Sequence, residues 1–173
     1  IQELLDPKTQ NEAFQKLLHT YQRPLYHHIR NIVLNHDDTD DVLQNTFIKV
    51  FQNLKNFKGE SKLFSWMYRI ATNESLTFIK QKAKKNNTST EEINAKIIDN
   101  LQSDVFFDGN EIQIKLQKAI ALLPAKQQLV FKMKYFEELK YEEIATILDT
   151  SVGALKASYH HAVKKIEAYV TSN

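Results

Sequence analysis

Polar and basic side chains recur at helical spacing near the C-terminus of this 173-residue chain. Within residues 152–166, apolar side chains stand 3, 7, 10, 11 and 14 positions after Val152, so they share one face of a helix. The other face carries Lys156, Ala157, His160 and Lys164. Ammonium groups bind phosphate, and small polar side chains can bond to the edges of bases. This spacing therefore predicts a helix that binds nucleic acid.

A short amphipathic segment precedes that helix and must position it. Residues 141–148 form the predicted first helix, and Asp149, Thr150 and Ser151 form the turn. Either hydroxyl can cap the second helix, since it accepts from the free N–H groups of a first turn. The apolar side of the first helix carries Ile144, Ala145 and Leu148. The pair predicts a helix–turn–helix that enters a DNA major groove; the alternative is an ordinary helical hairpin with a solvated basic face.

A second concentration of positive charge lies earlier in the chain. Residues 55–85 hold eight Lys and Arg residues against Glu60 and Glu74, although the formal net charge of the whole chain is only +2. A local patch of this kind binds phosphate while the rest of the protein stays nearly neutral.

Residue groups typical of catalysis or metal binding are missing from the sequence. It contains no HExxH, no glycine-rich phosphate loop and no Ser/His/Asp grouping. It contains no cysteine, which excludes thiolate zinc sites and disulfides and fits a reducing compartment. The pairs His27–His28 and His160–His161 are adjacent in sequence, so their rings point in different directions on a helix. We expect no catalytic residue, metal, cofactor or small-molecule substrate.

The remaining elements are predicted to be helices. Three glycines, three prolines and few valines favour helices over strands. Pro24 is expected to kink or restart the first helix, Asp38 or Thr39 to cap the second, and Gly59 to form a turn. The apolar stripe of the second helix is Leu43, Phe47, Val50, Phe51 and Leu54. The predicted N-terminal helices span residues 11–33, 41–54 and 63–81.

The chain is expected to divide into two parts. Residues 80–103 are polar, with NNTST near the middle, and predict an exposed linker with a short helix at residues 91–98. Helical periodicity returns at Ile112 and restarts after Pro124. We predict an all-α fold with two small helical domains, residues 1–84 and 112–173, joined by a flexible linker at residues 85–111. The second domain contains the helix–turn–helix. No apolar run reaches the roughly 20 residues of a membrane span.

Two blocks together resemble a known family. The segment at residues 37–85, with SKLFSWMYRIATN, resembles the second conserved domain of bacterial RNA polymerase sigma factors, most closely the extracytoplasmic-function (ECF) group. The segment at residues 116–166, with LPAKQQLVFKMKYFEELKYEEIA, resembles the fourth domain, which reads promoters. The resemblance implies a transcription initiation factor that directs core RNA polymerase to −10 and −35 promoter elements and captures unpaired bases of the non-template strand.

The resemblance assigns polymerase docking to the second helix. Its outward face carries Asp41, Gln44, Asn45 and Lys49. Carboxylate and amide groups suit a partner rich in Arg and Lys. The alternative is a solvated helix face.

The resemblance assigns −10 recognition to the FKGES loop and the helix after it. A flipped base needs polar groups and a stacking surface. The expected residues are Lys58, Glu60, Ser61, Trp66, Arg69, Asn73 and Lys80, with Lys58, Ser61 and Asn73 the stronger choices because a core has little use for them. Trp66, like Phe64 and Tyr68, either stacks on a base or packs in the core.

The resemblance assigns −35 recognition to Ser151, Lys156, Ala157, His160 and Lys164. The family usually has Arg or Lys at several of these outward positions. Ala157 and His160 depart from that pattern, which indicates weaker phosphate contacts or a preference carried by Lys156, Ser158 and His160.

The implied partners are core RNA polymerase, promoter DNA and an anti-sigma factor. We expect a cytoplasmic, nucleoid-associated protein that a membrane-bound anti-sigma factor can hold inactive. One alternative is a helix–turn–helix regulator that acts without core polymerase and binds duplex DNA tightly by itself. A second alternative, a helical enzyme, requires a convergent polar pocket that the sequence does not indicate.

Overall fold

Helices account for the regular structure of the described residues. The computed structural model describes residues 2–99 and 110–172. Within them, the all-α prediction is confirmed. The helices are Gln2–Leu5 (α1), Gln10–Val33 (α2), His36–Asn53 (α3), Leu63–Lys85 (α4), Thr90–Asp99 (α5), Glu111–Ala121 (α6), Ala125–Tyr135 (α7), Tyr141–Leu148 (α8) and Val152–Thr171 (α9).

Helix α2 runs through Pro24 and does not restart there. Proline removes the N–H that would bond to the carbonyl of Thr20. Both residues are exposed, so water can bond to that carbonyl. The predicted restart is therefore wrong because the lost hydrogen bond lies on the solvent side of the helix.

Helix α3 begins earlier than its apolar pattern indicates. Its cap is Asn35, whose side chain accepts from the backbone N–H of Asp38 at 3.0 Å. The predicted caps, Asp38 and Thr39, lie inside the first turn, and the Thr39 hydroxyl donates to the carbonyl of Asn35. Asparagine caps as well as aspartate does, and the acidic first turn that follows is favourable at a helix N-terminus.

The turn before α4 forms at Gly59, as predicted. Gly59 has a φ of +74°, a conformation that side chains with a Cβ rarely adopt. A short 3₁₀ turn, Leu54–Asn56, joins α3 to this loop. Helix α4 then continues to Lys85, four residues past its predicted end, because lysines are good helix formers and are favourable in a last turn.

The helix predicted within the linker is present as α5. Ile93 and Ile98 are buried, and α5 packs against α4 and α6. The side chain of Glu92 accepts from Thr88, and this hydrogen bond holds the pKa of its carboxyl below the usual value. The rest of the predicted flexible segment, residues 100–109, lies outside the described residues.

Helices α2–α4 form an N-terminal lobe, and α6–α9 form a C-terminal lobe. The lobes pack directly on each other, α4 against α8 and α2 against α7. One hydrophobic cluster includes buried residues of both lobes: Leu25, Ile29, Val50, Met67 and Ala71 with Val130, Met133, Ile144, Ile147 and Leu155. A second cluster, with Ile120, Phe131 and Ile166, belongs to the C-terminal lobe alone. The main core is therefore shared between the lobes.

The first helix and the turn of the helix–turn–helix have their predicted bounds, whereas α9 continues to Thr171, five residues past the predicted end at Ile166. Asp149 is left-handed at the end of α8, and Ser151 caps α9 by accepting from the N–H of Ala154 at 3.2 Å. The predicted apolar side of α8 is partly wrong. Ile147 is buried beside Ile144, whereas Ala145 and Leu148 are only half-buried. Helix α8 packs on α4 as well as on α9, so more than one side of it is covered. This explains why Ile147, which lies outside the predicted apolar side, is buried.

Candidate nucleic-acid interface

The outer face of α3 carries the four residues expected to dock polymerase. Asp41, Gln44, Asn45 and Lys49 are all exposed. Lys49 is paired within the lobe, since its Nζ lies 2.5 Å from Oε1 of Glu74 on α4. The other three side chains lie on the solvent side of the same helix.

An apolar groove, which we call the α3 groove, borders this face. Its volume is about 400 Å³, and its apolar lining comes from Phe14, Leu18, Phe47, Ile48 and Phe51, with Gln44 at its edge. Ile48 is 48% exposed and Phe51 40%. Phe51, a member of the predicted apolar stripe, is therefore only partly covered, by an edge contact with Phe14 in which the ring centres lie 5.0 Å apart. The sequence did contain one signal for this groove, since Ile48 is an apolar residue that lies outside the predicted apolar stripe of α3.

Five of the seven residues expected at the −10 site line one cavity of about 530 Å³, the α4 pocket. They are Lys58, Glu60, Ser61, Trp66 and Arg69. The turn at Gly59 reverses the chain, so the FKGES loop faces the first turns of α4. Asn56 and Phe57 complete this side of the cavity. The arrangement brings an ammonium, a guanidinium, a carboxylate, a hydroxyl and an indole together.

The aromatic residues of this region divide between pocket and core. Trp66 is half-buried, and its ring lies 5.1 Å from that of Phe57 while it also lines the pocket. Tyr68 is buried and packs on Phe64, with their ring centres 4.1 Å apart. Burial raises the pKa of the Tyr68 hydroxyl, and the nearby carboxylates of Glu137 and Glu143 raise it further. Tyr68 therefore belongs to the core, and Trp66 is the aromatic surface that a ligand could reach.

Asn73 and Lys80 lie on α4 outside the pocket. Both are exposed, and helical periodicity puts them on nearly the same face as Arg69. Lys80 is eleven residues past Arg69, or about 16 Å along the axis. It borders a separate cavity with Gln128 and Lys132 of α7. These residues form a track along α4.

The C-terminal lobe supplies the remaining wall of the α4 pocket. Thr146 and Asp149 line the cavity. Arg69 donates to the carbonyl of Thr146 through Nε at 3.1 Å and also through Nη2. Lys62 Nζ lies 3.5 Å from Glu143 Oε1. Two cations of the N-terminal lobe are thus held by groups of α8.

A buried polar contact joins the lobes beneath this surface. His28 is 0% exposed; its Nδ1 lies 2.9 Å from Oε2 of Glu137, and its Nε2 lies 2.8 Å from the Thr72 hydroxyl. Asn31 also donates to Glu137, at 3.3 Å. Lys132 is buried nearby, and burial lowers its pKa to about 8 although the Glu137 charge opposes this shift. In the sequence His28 stands out only as half of the His27–His28 pair, because its partner Glu137 lies 109 residues away.

The outward face of α9 is open by comparison. Lys156, Ala157, His160 and Lys164 are all exposed, as predicted. Ser151 is also exposed, although its hydroxyl already accepts a capping hydrogen bond. The ammonium of Lys156 lies 5.8 Å from the ring centre of Tyr141. This face presents two cations, an imidazole and a methyl group.

Residues 2–99 and 110–172 contain no cluster of three or more His, Cys, Asp or Glu residues that could hold a metal ion. In the same part of the chain, no helix is both long and apolar enough to cross a membrane.

Comparison with known families gives two matches in the order of the lobes. The pattern of Sigma-70 region 2 matches residues 17–85. The pattern of Sigma-70, region 4 matches residues 113–166.

Characterised relatives resemble almost the whole chain. The ECF RNA polymerase sigma factor SigW of Bacillus subtilis is 28% identical over 88% of this chain and 86% of its own length. The ECF RNA polymerase sigma-E factor of Haemophilus influenzae is 29% identical over 90% of this chain and 86% of its own length. The sigma factor RpoE of Bartonella quintana, solved in complex with the anti-sigma factor NepR, has a similar fold, with a TM-score of 0.68 at 17% identity over 92% of this chain and 98% of that one.

Proposed function

This chain belongs to the extracytoplasmic-function group of RNA polymerase sigma factors and is a transcription initiation factor, and from that premise we propose which surfaces carry each task. We propose that α3 docks core RNA polymerase, that the α4 pocket captures an unpaired −10 base, and that α9 reads the −35 element. Residues 1–84 and 112–173 act as the two domains, with residues 85–111 as the connection between them.

The observation that carries this proposal is the lining of the α4 pocket. A base that leaves the duplex loses its stacking and pairing, at a cost of roughly a few kcal/mol. Trp66 offers a surface for new stacking, and Lys58 and Ser61 offer hydrogen-bonding groups at the same cavity. No catalytic residue is needed, because a site that binds only the unpaired base shifts the opening equilibrium. We accordingly propose that the chain itself catalyses no reaction.

The track along α4 supports a path for the strand beside the pocket. Asn73 and Lys80 are exposed on nearly the same face as Arg69. About 16 Å of helix matches the length of two to three nucleotides of a single strand, so the Lys80 ammonium and the Asn73 amide can both contact a strand that leaves the pocket. We assign Arg69 and Lys80 to phosphates and Asn73 to a base edge or sugar.

The composition of the α3 surface supports docking to a protein. Asp41, Gln44 and Asn45 give it a polar rim, and the α3 groove supplies exposed apolar area at Ile48 and Phe51. Specific protein interfaces combine an apolar centre with a polar rim. We give Lys49 a smaller part, because it already pairs with Glu74.

The open face of α9 supports reading of duplex DNA. Lys156 and Lys164 can contact phosphates, and His160 can bond to a base edge. Ala157 can contact only apolar groups such as a thymine methyl. Ser151 is best placed to support the N-terminus of α9, since its hydroxyl accepts from Ala154.

The proposed partners are core RNA polymerase, promoter DNA and an anti-sigma factor. The solved complex of a similar fold with an anti-sigma factor supports the last of these. We place the protein in the cytoplasm at the nucleoid, where polymerase and promoters are, with an anti-sigma factor able to hold it at the membrane.

The direct test is transcription in vitro with bacterial core polymerase across a promoter library. We expect promoter-dependent initiation only when the chain is added, together with co-purification of chain and core enzyme. If neither occurs, and the free chain instead binds one duplex site tightly, the regulator that acts without core polymerase is the correct function.

A further inference from the structure

The α4 pocket carries a carboxylate on its N-terminal side. Glu60 lines the cavity together with Lys58, Ser61 and Trp66. Lys58 and Glu60 are exposed on either side of the turn at Gly59, and Ser61 is half-buried. Within the part of the chain that the structure describes, none of these three polar side chains makes a hydrogen bond or an ion pair. All three are therefore available to a ligand.

A carboxylate is an unusual group in a site for single-stranded DNA. Every phosphate of the strand carries a negative charge, so Glu60 weakens the binding of any strand by repulsion. The cations of Lys58 and Arg69 at the same cavity offset part of this repulsion. A hydrogen bond between the carboxylate and the captured base can offset the rest, and the strength of that bond depends on which base enters.

The four DNA bases differ in what they offer to a carboxylate, which can only accept hydrogen bonds. Cytosine, adenine and guanine each carry an exocyclic amino group, and this group donates. Thymine has no amino group, and its one donor on the pairing edge, N3–H, stands between two carbonyl oxygens. A carboxylate that approaches this N–H also approaches oxygens that repel it. Glu60 can therefore distinguish thymine from the other three bases.

We propose that the α4 pocket selects a base with an exocyclic amino group and rejects thymine, with Glu60 accepting from that amino group. This inference rests on the proposed role of the pocket in capturing an unpaired −10 base. Lys58 donates to a ring nitrogen or a carbonyl oxygen of the same base, and Trp66 supplies the stacking surface. These three residues lie within nine positions of one another in the N-terminal lobe, so the selection does not involve the C-terminal wall of the pocket.

Binding of single strands to the complex of the chain with core polymerase tests this proposal. The probe is a fluorescent non-template −10 oligonucleotide from a promoter that the complex opens, with each position changed in turn to cytosine or uracil. These two bases have the same ring and differ only where cytosine has an amino group and an acceptor nitrogen in place of a carbonyl and an N–H. We expect one position at which anisotropy shows cytosine binding roughly tenfold more tightly than uracil.

Two substitutions of Glu60 separate contact with the base from general repulsion of the strand. Glu60→Gln keeps the size of the side chain, but its amide both donates and accepts, so the preference for cytosine at that position should fall to about twofold or less. Glu60→Lys presents only donors and should reverse the preference, because O4 of uracil accepts. Both variants should bind every strand more tightly, so the measured quantity is the ratio of the two affinities.

The matched control is Glu12→Gln, at an exposed position of α2, which should keep the wild-type ratio. If Glu60→Gln keeps the preference for cytosine at every position, the carboxylate does not contact the base. The inference is then wrong, although capture of an unpaired base by the pocket stands. If the wild-type complex binds the −10 strand no better than a scrambled strand, the proposed capture is wrong as well.

Discussion

The two surfaces proposed to read DNA differ in what covers them. On α9, the side chains of Lys156, His160 and Lys164 project into solvent. On α4, Arg69 bonds to the carbonyl of Thr146, and α8 forms a wall of the pocket beside it. The covered surface is the one that needs an unpaired base, whereas the open one reads duplex DNA. The free chain should therefore bind DNA mainly through α9, and strand capture should depend on lobe separation.

The largest expected effect is on promoter opening, which we assign to the α4 surface. Lys58→Ala combined with Asn73→Ala removes hydrogen-bonding groups at the pocket and on the track, and a bond made by the charged Lys58 contributes about 1.5 kcal/mol or more. The Asn73 bond is between neutral groups and contributes about 1 kcal/mol, so only the Lys58 bond has the larger value. We expect open-complex formation on duplex promoters to fall by roughly fifty- to a hundredfold, while binding to core polymerase is kept. Permanganate reactivity of promoter thymines would measure opening, and co-purification would measure core binding.

The control for this double variant makes the same chemical changes elsewhere on the N-terminal lobe. Asn11→Ala combined with Lys16→Ala alters exposed residues of α2. It should leave opening unchanged. Loss of core binding in Lys58→Ala/Asn73→Ala would mean that the docking and −10 surfaces are misplaced.

A smaller effect is expected on the α9 side. Lys156→Ala combined with Lys164→Ala removes two proposed phosphate contacts. We expect duplex −35 DNA to bind about tenfold more weakly, and the slope of log affinity against log salt to become shallower by about 2. Titration of the free chain at several salt concentrations measures both quantities. An unchanged salt slope would show that these lysines do not contact phosphates.

The smallest expected effect is a change of stability with pH, caused by Lys132, which is buried where the lobes meet. Lys132 is buried beside Glu137, and the cavity next to it is lined by Ile32 of α2 and Ile79 of α4, so the N-terminal lobe contributes to its burial. The folded chain releases the Lys132 proton near pH 8, before the unfolded chain does near 10.5. The unfolded chain then binds more protons, so the free energy of unfolding rises with pH, by about 1 kcal/mol between pH 7 and pH 9.

Denaturant titrations at several pH values would measure this rise in the wild type and in two variants. Lys132→Met should reduce it, because the titrating group is gone. Lys126→Met, at an exposed position on the same helix, should keep it. An equal rise in Lys132→Met would assign the pH dependence to another group.

Local features of the fold could be predicted from sequence because their causes are local. The bounds of α8, the turn at Gly59 and the Ser151 cap each depend on residues within about four positions. The Asn35 cap was missed because the polar first turn of α3 carries no apolar pattern. The restart predicted at Pro24 was wrong because the hydrogen bond that proline loses lies on the solvent side of α2.

The contacts between the lobes could not be predicted in the same way. The α4 pocket was expected on the N-terminal side, where Lys58, Ser61 and Trp66 are close in sequence. Its other wall, at Thr146 and Asp149, comes from about 80 residues further along the chain. No periodicity or motif relates such distant segments. His28 likewise gains its importance only from Glu137.

The distance between the lobes tests the central claim most directly. Lys55→Cys and Lys165→Cys, both at exposed positions outside the proposed sites, accept two fluorescent labels in a chain that has no other thiol. Energy transfer would be measured in the free chain and in the complex with core polymerase and promoter DNA. We predict efficient energy transfer in the free chain and a loss of most of it in the promoter complex. The reason is that the −35 and −10 elements are roughly 25 base pairs apart, or about 85 Å along the DNA at 3.4 Å per pair, so the lobes must move several tens of ångströms apart to bind both. Equal transfer in the two states would contradict the account.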